Sequence, residues 1–134
     1  MSVPDPIADI RSLLLADETV SSLCEDRVFH SELPETEAKL MPRAAIVAAT
    51  AGGPGRRKTT GLRRIRIDTH CYGASLYESG ELHKATREVL ETLARRSNSV
   101  ISIEMSSDGQ NARDPVTRWP VCFASYSVLT TIAV

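Results

Sequence analysis

The chain has 134 residues, of which 42% are hydrophobic and 25% are charged. This balance is typical of a folded globular protein and excludes an intrinsically disordered chain. Sixteen basic and seventeen acidic side chains give a formal charge of −1, so no net field draws the whole chain to nucleic acid or to a membrane surface. The length fits one domain, and we expect residues 1–134 to form it.

The amino-terminal segment predicts a protein that is made and kept in a cytoplasm-like compartment. MSVPDPIADIRS lacks the basic region and apolar stretch of a secretory signal. The chain also has no run of ~20 apolar residues that would span a membrane. Cys24, Cys71 and Cys122 are odd in number and set far apart in apolar sequence, which predicts reduced core thiols rather than disulfides.

The first elements in chain order are two short helices and two strands. Asp5 as N-cap and Pro6 at the first helical position predict the first helix. Its apolar stripe repeats at helical spacing and consists of Ile7, Ile10, Leu13 and Leu14. Asp17 caps a second short turn that carries Val20 and Leu23. Strands are predicted over Arg27–Ser31 and Arg43–Thr50, with the acidic segment 32–39 as a surface loop between them.

A basic loop and a strongly alternating strand follow. The glycines and proline of AGGPGRRKTTG predict a flexible loop over residues 51–61 that projects from the body. The next strand covers Arg63–Tyr72. Period-two alternation predicts that its core face consists of Ile65, Ile67, Thr69 and Cys71, and its opposite face of Arg64, Arg66, Asp68 and His70.

The carboxyl-terminal half predicts the longest helix and two more strands. The apolar side of the helix consists of Leu82, Ala85, Val89, Leu90 and Leu93, with Arg95 and Arg96 at the carboxyl end and Ser97-Asn98 as its stop. A strand over Val100–Met105 is expected to place Ile101, Ile103 and Met105 inward. A polar turn over 106–115 that contains Asp108-Gly109 should lead to an antiparallel return strand over Trp119–Val134.

This order of elements predicts an α+β fold, with a mainly antiparallel sheet of about five strands and helices packed on one face. Such a layer arrangement buries the helical stripes and the inward strand faces together. The strand Arg43–Thr50 is small and apolar on both faces, which suits the interior of a sheet and would be a liability at an uncovered edge.

Signatures of enzymes and cofactor sites are absent from the sequence. It contains no HExxH, CxxC or GxSxG, and GGPG lacks the Lys-Ser/Thr that completes a phosphate loop. His70 and Cys71 are adjacent on a strand, so they point to opposite faces and cannot share one metal ion; His30 and His83 lie on other elements. We therefore expect no catalytic residue, no cofactor and no metal.

Three carboxylates close in sequence are the remaining candidates for acid–base chemistry. Glu104, Asp108 and Asp114 could supply a pair of carboxyl groups. Asp108 precedes a glycine and Asp114 precedes Pro115, however, and both positions favour aspartate for backbone reasons alone. We interpret both as turn residues.

The densest charge in the chain is a basic run. Six cations fall within eleven residues without an acid: Arg56, Arg57, Lys58, Arg63, Arg64 and Arg66. Three roles remain open for them, namely a solvated loop and strand face, a contact with another subunit or partner, and binding to nucleic acid phosphates. No aromatic residue is interleaved for base stacking. The candidate partner-contact residues are Arg56, Arg57, Lys58, Arg64 and Arg66.

The order and spacing of four segments resemble the tail-terminator or tail-completion family of siphophages, including lambda-like terminators and relatives in gene transfer agents. These segments are IADIRSLLLADETVSSLCEDRVFHSELPE, MPRAAIVAAT, RRIRIDTHCYGASLYESGELHKATREVLETL and WPVCFASYSVLTT. The resemblance implies a structural subunit of a virion tail or neck, assembled in the bacterial host cytoplasm. Such subunits form a ring, commonly a hexamer, that ends tail-tube polymerisation and joins the tail to the head connector.

The implied partners are other copies of the chain, the tail-tube protein and the head–tail connector or stopper protein, with a transient contact to DNA passing through the ring and no membrane. The alternatives are another head–tail neck protein, or a small nucleic-acid-binding module that uses residues 56–66. An enzyme would additionally require a pocket with perturbed titratable groups.

Overall fold

The computed structural model describes residues 6–50, 55–56, 62–96 and 100–131, with the backbone alone described at 55, 56, 62, 94, 108 and 131. The helices are Pro6–Ala16 (α1), Glu18–Cys24 (α2), Glu35–Ala38 (α3), Leu76–Leu90 (α4) and Leu93–Arg96 (α5). The strands are Val28–His30 (β1), Ala45–Thr50 (β2), Gly55–Arg56 (β3), Leu62–Tyr72 (β4), Val100–Arg113 (β5) and Pro120–Thr131 (β6). Within these ranges, no helix is both long and apolar enough to cross a bilayer.

One sheet runs through the molecule in the order β1-β2-β4-β6-β5, and β3 adds a short pairing to β4. Only the pairing of β1 with β2 is parallel among those described, and the others are antiparallel. The predicted α+β class and mainly antiparallel sheet are confirmed. The strand count is six rather than about five because Gly55–Arg56 adds a two-residue strand.

The core lies between one face of the sheet and the helices. Ile65, Ile67, Thr69 and Cys71 of β4 are all buried on this face, as their alternation predicts. The thiol of Cys71 donates a 3.6 Å hydrogen bond to Thr86 Oγ1 on α4. None of the three cysteines forms a disulfide and all three are buried, and burial raises the pKa of Cys71 to about 12 and that of Cys24 to about 11. The thiols of Cys71 and Cys24 are therefore protonated core groups.

The amino-terminal helices cover the sheet beside α4. Ile7, Ile10 and Leu14 of α1 are buried, whereas Leu13 is partly exposed. Asp17 caps α2 as predicted, because its carboxylate accepts a 3.0 Å hydrogen bond from the backbone N–H of Val20. The predicted cap Asp5 lies outside the described residues.

The predicted turn at 106–115 is wrong. β5 continues through Asp108-Gly109 to Arg113, and the reversal comes at 114–119, where Asp114 N donates to Trp119 O. Gly109 is required for a different reason: a Cβ there would lie 2.4 Å from His83 Nε2 of α4. The glycine lets β5 pass close to the helix instead of reversing the chain.

Irregular register in β5 also overturns the predicted position of Ile101. The register shifts between Val100 and Ser102, so Val100 is buried while Ile101 is 48% exposed. Ile103 and Met105 pack against the core as predicted. A β-bulge at the start of the strand shifts the alternation by one residue, so Val100 faces the core in place of Ile101.

Several element boundaries also differ from the sequence predictions. The loop 32–39 contains the short helix α3, whose Glu37 carboxylate is held by Arg43 at 2.6 Å. β2 begins at Ala45 rather than Arg43 and lies between β1 and β4, so the hazard of a free edge does not apply to it. The long helix is divided into α4 and α5, and its predicted stop at Ser97-Asn98 lies outside the described residues.

Candidate interaction surface on the outer face of the sheet

The face of the sheet opposite the core is formed by alternate residues of β4 and β6, and we call it the outer face. Its residues on β4 are Arg64, Arg66, Asp68, His70 and Tyr72. Its residues on β6 are Val121, Phe123, Ser125, Ser127 and Leu129. The antiparallel register places cations and hydroxyls at one end of this face and aromatic rings at the other.

Hydrogen bonds across the two strands organise the cationic half of the outer face. Arg64 Nη1 donates to Ser127 Oγ at 2.9 Å. Arg66 donates from Nε to Asp68 Oδ1 at 3.1 Å and from Nη2 to Ser125 Oγ at 3.2 Å. Ser125 in turn donates to Asp68 Oδ1 at 2.7 Å. The side chains of this half are thus held in place rather than free in solvent.

The two arginines predicted as contact residues differ electrostatically. Asp68 offsets the charge of Arg66, whose side chain is still 53% exposed. Arg64 has the neutral Ser127 as its side-chain partner, and among the residues that the structure describes no carboxylate pairs with it. Arg64 therefore contributes the less compensated positive charge on this face, and an exposed pair such as Arg66–Asp68 adds little stability.

Four rings form the aromatic half of the outer face. The His70 and Phe123 rings meet edge to face with centroids 5.0 Å apart, and the His70 and Tyr72 rings are stacked with centroids 6.5 Å apart. Trp119 packs edge to face on Tyr72 at 6.1 Å. All four side chains are partly exposed. Alternation in the sequence placed His70 on this face, but the cluster was not predicted. The signal that could have found it is the alternation in β6, where Phe123 follows the buried Cys122 and therefore points to the side of His70.

The turn that follows β5 places Asp114 close enough to His70 to affect its pKa. Asp114 Oδ1 accepts hydrogen bonds from the backbone N–H groups of Val116 and Thr117 at 2.8 and 2.9 Å. These bonds hold the pKa of Asp114 below its usual value. Burial lowers the pKa of His70, against the opposing effects of Asp68 and Asp114, so the neutral ring is favoured. The interpretation of Asp114 as a turn residue is confirmed.

The remaining predicted contact residues lie in or beside the basic segment 51–61. The backbone of Arg56 pairs with Arg63 in the β3–β4 ladder, so this part of the predicted flexible loop is a strand. Arg57 and Lys58 lie outside the described residues, as does the rest of that loop. The structure thus brings Arg64 and Arg66 together on the outer face and aligns the backbone of Arg56 beside them.

The residues weighed for chemistry are dispersed. His70 lies on the outer face and Cys71 in the core, as their alternation predicts, and His83 is buried on α4. Glu104 is exposed on β5, and the side chain of Asp108 lies outside the description. Within the ranges described, no three His, Cys, Asp or Glu side chains gather as metal ligands would.

A pocket of about 230 Å³ opens between α4 and β5. It is lined by Arg87, Leu90, Glu91, Ile103, Met105 and Tyr126. Arg87 Nε lies 3.5 Å from Glu91 Oε1 one helical turn away, and burial raises the pKa of the Tyr126 phenol. The pocket is thus lined by an ion pair and a protonated phenol among apolar side chains.

The chain matches no protein-family model and no curated protein sequence. Among solved structures, it is similar to a chain from the virion of a native gene transfer agent particle, with 14% sequence identity and a TM-score of 0.62. The match covers 93% of this chain and 93% of that chain. This chain therefore shares its fold, over nearly its whole length, with a component of a virion particle.

Proposed function

We propose that the chain is a non-enzymatic structural subunit of a phage-like particle. In this proposal copies of the chain form a ring, a hexamer by family resemblance, at the end of the tail tube. The ring halts tube polymerisation and joins the tail to the head connector or stopper protein. Its location is the tail or neck region of the virion.

The observation that carries the proposal is the fold shared with a gene transfer agent virion chain over 93% of both chains. The outer face supports the proposal independently, because half-exposed aromatic rings beside fixed arginines are typical of protein interfaces. We assign Arg64 and Arg66, with Arg56, Arg57 and Lys58 of the basic segment, to contacts with ring or tube partners.

A gene deletion in the particle-producing cell tests this function. We expect tails of uncontrolled length that are not joined to heads, and we expect the intact gene supplied in trans to restore joined particles. Electron microscopy of purified particles measures both tail length and joining. Deletion particles with normal tails and normal DNA transfer would overturn the proposal.

The nucleic-acid alternative makes a different prediction. Binding through the basic segment would weaken steeply with added salt, because each neutralised phosphate releases counterions. The fold relative, a virion component with 14% identity, offers no support for this alternative. A titration with duplex and single-stranded oligonucleotides at two salt concentrations separates the two functions.

A further inference from the structure

Opposite charges are segregated along the chain although its net charge is only −1. Residues 1–39 contain nine acidic and three basic side chains, a net charge of −6. Residues 40–73 contain one acidic and seven basic side chains, a net charge of +6. The two segments therefore carry equal and opposite net charges.

The positive charge collects at one end of the sheet. Arg63 and Arg64 lie at the start of β4, where β6 ends and β5 begins, and Arg66 follows on the outer face. Arg95 and Arg96 of α5 are exposed near the same end, since α5 packs on β5 just before Val100. We call Arg64 and Arg66, which share the outer face, the cationic corner.

The negative charge collects at the opposite end of the sheet, around the start of the edge strand β1. Glu25 and Asp26 precede β1, whose start is aligned with the start of β2, and Glu35 and Glu37 belong to α3. Arg43 connects the two groups, because it pairs with Glu37 and its pKa is raised by Glu37, Glu25 and Asp26. We call these four acids the acidic corner.

Within the acidic corner, two of the four charges are compensated. Arg27 pairs with Glu25 and Arg43 pairs with Glu37. Asp26 and Glu35 are exposed, and no cation of the described part of the chain forms a salt bridge with either. The corner therefore keeps a net negative charge that faces solvent.

The two corners are too far apart to neutralise each other within one subunit. Ala45, at the start of β2, pairs with Tyr72, whereas Arg64 lies eight residues earlier on β4. That separation is about 27 Å along the strand, at roughly 3.4 Å per residue. Surface charges are screened over about 8 Å at physiological ionic strength. Complementary charges at opposite ends of one subunit instead favour a head-to-tail contact between copies, the type of contact that closes into a ring.

We infer that the cationic corner of one copy docks on the acidic corner of the next copy around the ring, with Arg64 and Arg66 facing Asp26 and Glu35. This inference rests on the proposed ring and names the contact that builds it. The two β-sheet edges, β1 and β5, then lie beside the contact without having to form a continuous ladder.

Charge reversal at each corner tests the contact. Arg64→Glu/Arg66→Glu and Asp26→Lys/Glu35→Lys should each raise the concentration needed for ring assembly by roughly tenfold or more, because like charges then meet. Mass photometry measures the ring fraction, and circular dichroism verifies the fold. Arg64→Gln/Arg66→Gln is the milder variant in case the reversed side chains disturb Asp68. Glu81→Lys/Lys84→Glu, an exchange within an exposed pair on α4, is the matched control and should leave assembly unchanged.

The decisive arm combines the two reversals. A mixture of the two reversed chains should form alternating rings, since each reversed corner then meets an oppositely charged partner. The chain that carries all four substitutions should assemble on its own to within about threefold of the wild type, whatever the number of copies.

Each outcome has one interpretation. Reversed chains that assemble like the wild type, or a mixture and a four-site chain that both fail to recover, would overturn this contact while leaving the ring proposal intact. A wild type that stays monomeric even with the tail-tube protein would overturn the ring and the contact together. Reversed chains that keep their rings but lose affinity for a single-stranded oligonucleotide would assign the cationic corner to nucleic acid instead.

Discussion

The two faces of β4 differ in burial and chemistry although they share one backbone. On the core face, Ile65, Ile67, Thr69 and Cys71 are at most 8% exposed and pack beneath the helices. On the outer face, Arg66 and Asp68 form a charged pair and His70 joins an aromatic cluster. Side chains alternate along a strand, so stability and recognition can be varied independently here. Core-face substitutions should unfold the chain, and outer-face substitutions should change the proposed contacts.

The largest expected effect comes from Ile67→Ala on the core face. Ile67 is fully buried, and truncating a buried isoleucine leaves a cavity that costs about 2–5 kcal/mol of unfolding free energy. Its neighbour on the outer face is the matched control: Arg66→Ala should cost less than about 1 kcal/mol. Urea denaturation followed by circular dichroism measures both. Equal losses of unfolding free energy at the two positions would contradict the claim that the core face carries the stability.

Gly109→Ala should have the next largest effect. The added Cβ would lie 2.4 Å from His83 Nε2 and 3.0 Å from Cys122 Sγ, so β5 must move away from α4. Overpacking of this kind costs about 1–3 kcal/mol. Gly80→Ala is the control, because its Cβ would meet only Asn111 Nδ2 at 3.3 Å and alanine favours a helix. Equal melting temperatures for the Gly109 variant and the wild type would contradict the close approach of Gly109 to His83.

Asp68→Asn separates the two roles on the outer face itself. The substitution removes the acid that compensates Arg66 and weakens the hydrogen bond from Ser125. We expect a loss of about 1 kcal/mol, since the pair is partly exposed, and a stronger salt dependence of ring assembly because the cationic corner gains net charge. Ser127→Ala, which removes only the partner of Arg64, should leave the salt dependence unchanged. Identical salt profiles for Asp68→Asn and the wild type would argue against a role for this charge in assembly.

The smallest effect concerns pH. Burial lowers the pKa of His70 below its usual 6.5, so the folded state binds fewer protons than the unfolded state between the two values. The stability contributed by neutral His70 is complete above the unfolded pKa and is lost as the pH falls toward the folded value. Urea denaturation of wild type and His70→Gln between about pH 5 and 8 isolates this contribution. Glu37 and Asp114, whose pKa values are lowered from 4.5 and 3.8, act only at lower pH. Parallel stability profiles for the two proteins would exclude His70 as the source.

Patterns local in sequence predicted most of the fold. The alternation at 63–72 identified both faces of β4, and Asp17 identified the start of α2, because each signal depends on neighbouring residues. Asp108-Gly109 wrongly predicted a turn, because its glycine depends on a contact with a residue distant in sequence. The demand for glycine comes from His83, which is distant in sequence, and no local pattern reveals that contact.

The interaction surface was predicted less completely than the fold. Arg64, Arg66 and Asp68 were assigned to one face correctly, but the ion pair between Arg66 and Asp68 was not predicted. The aromatic cluster was missed because Tyr72 and Trp119 meet only after β4 and β6 pair. The separation of charge into an acidic and a cationic corner likewise requires the order of strands in the sheet.

The most direct test of the account is to image the purified chain after it is mixed with preformed tubes of the tail-tube protein. The account predicts a closed ring of this chain at one end of each tube, and no further growth from that end when more tube protein is added. Tubes that acquire no terminal density and continue to lengthen, with the chain remaining monomeric beside them, would contradict it.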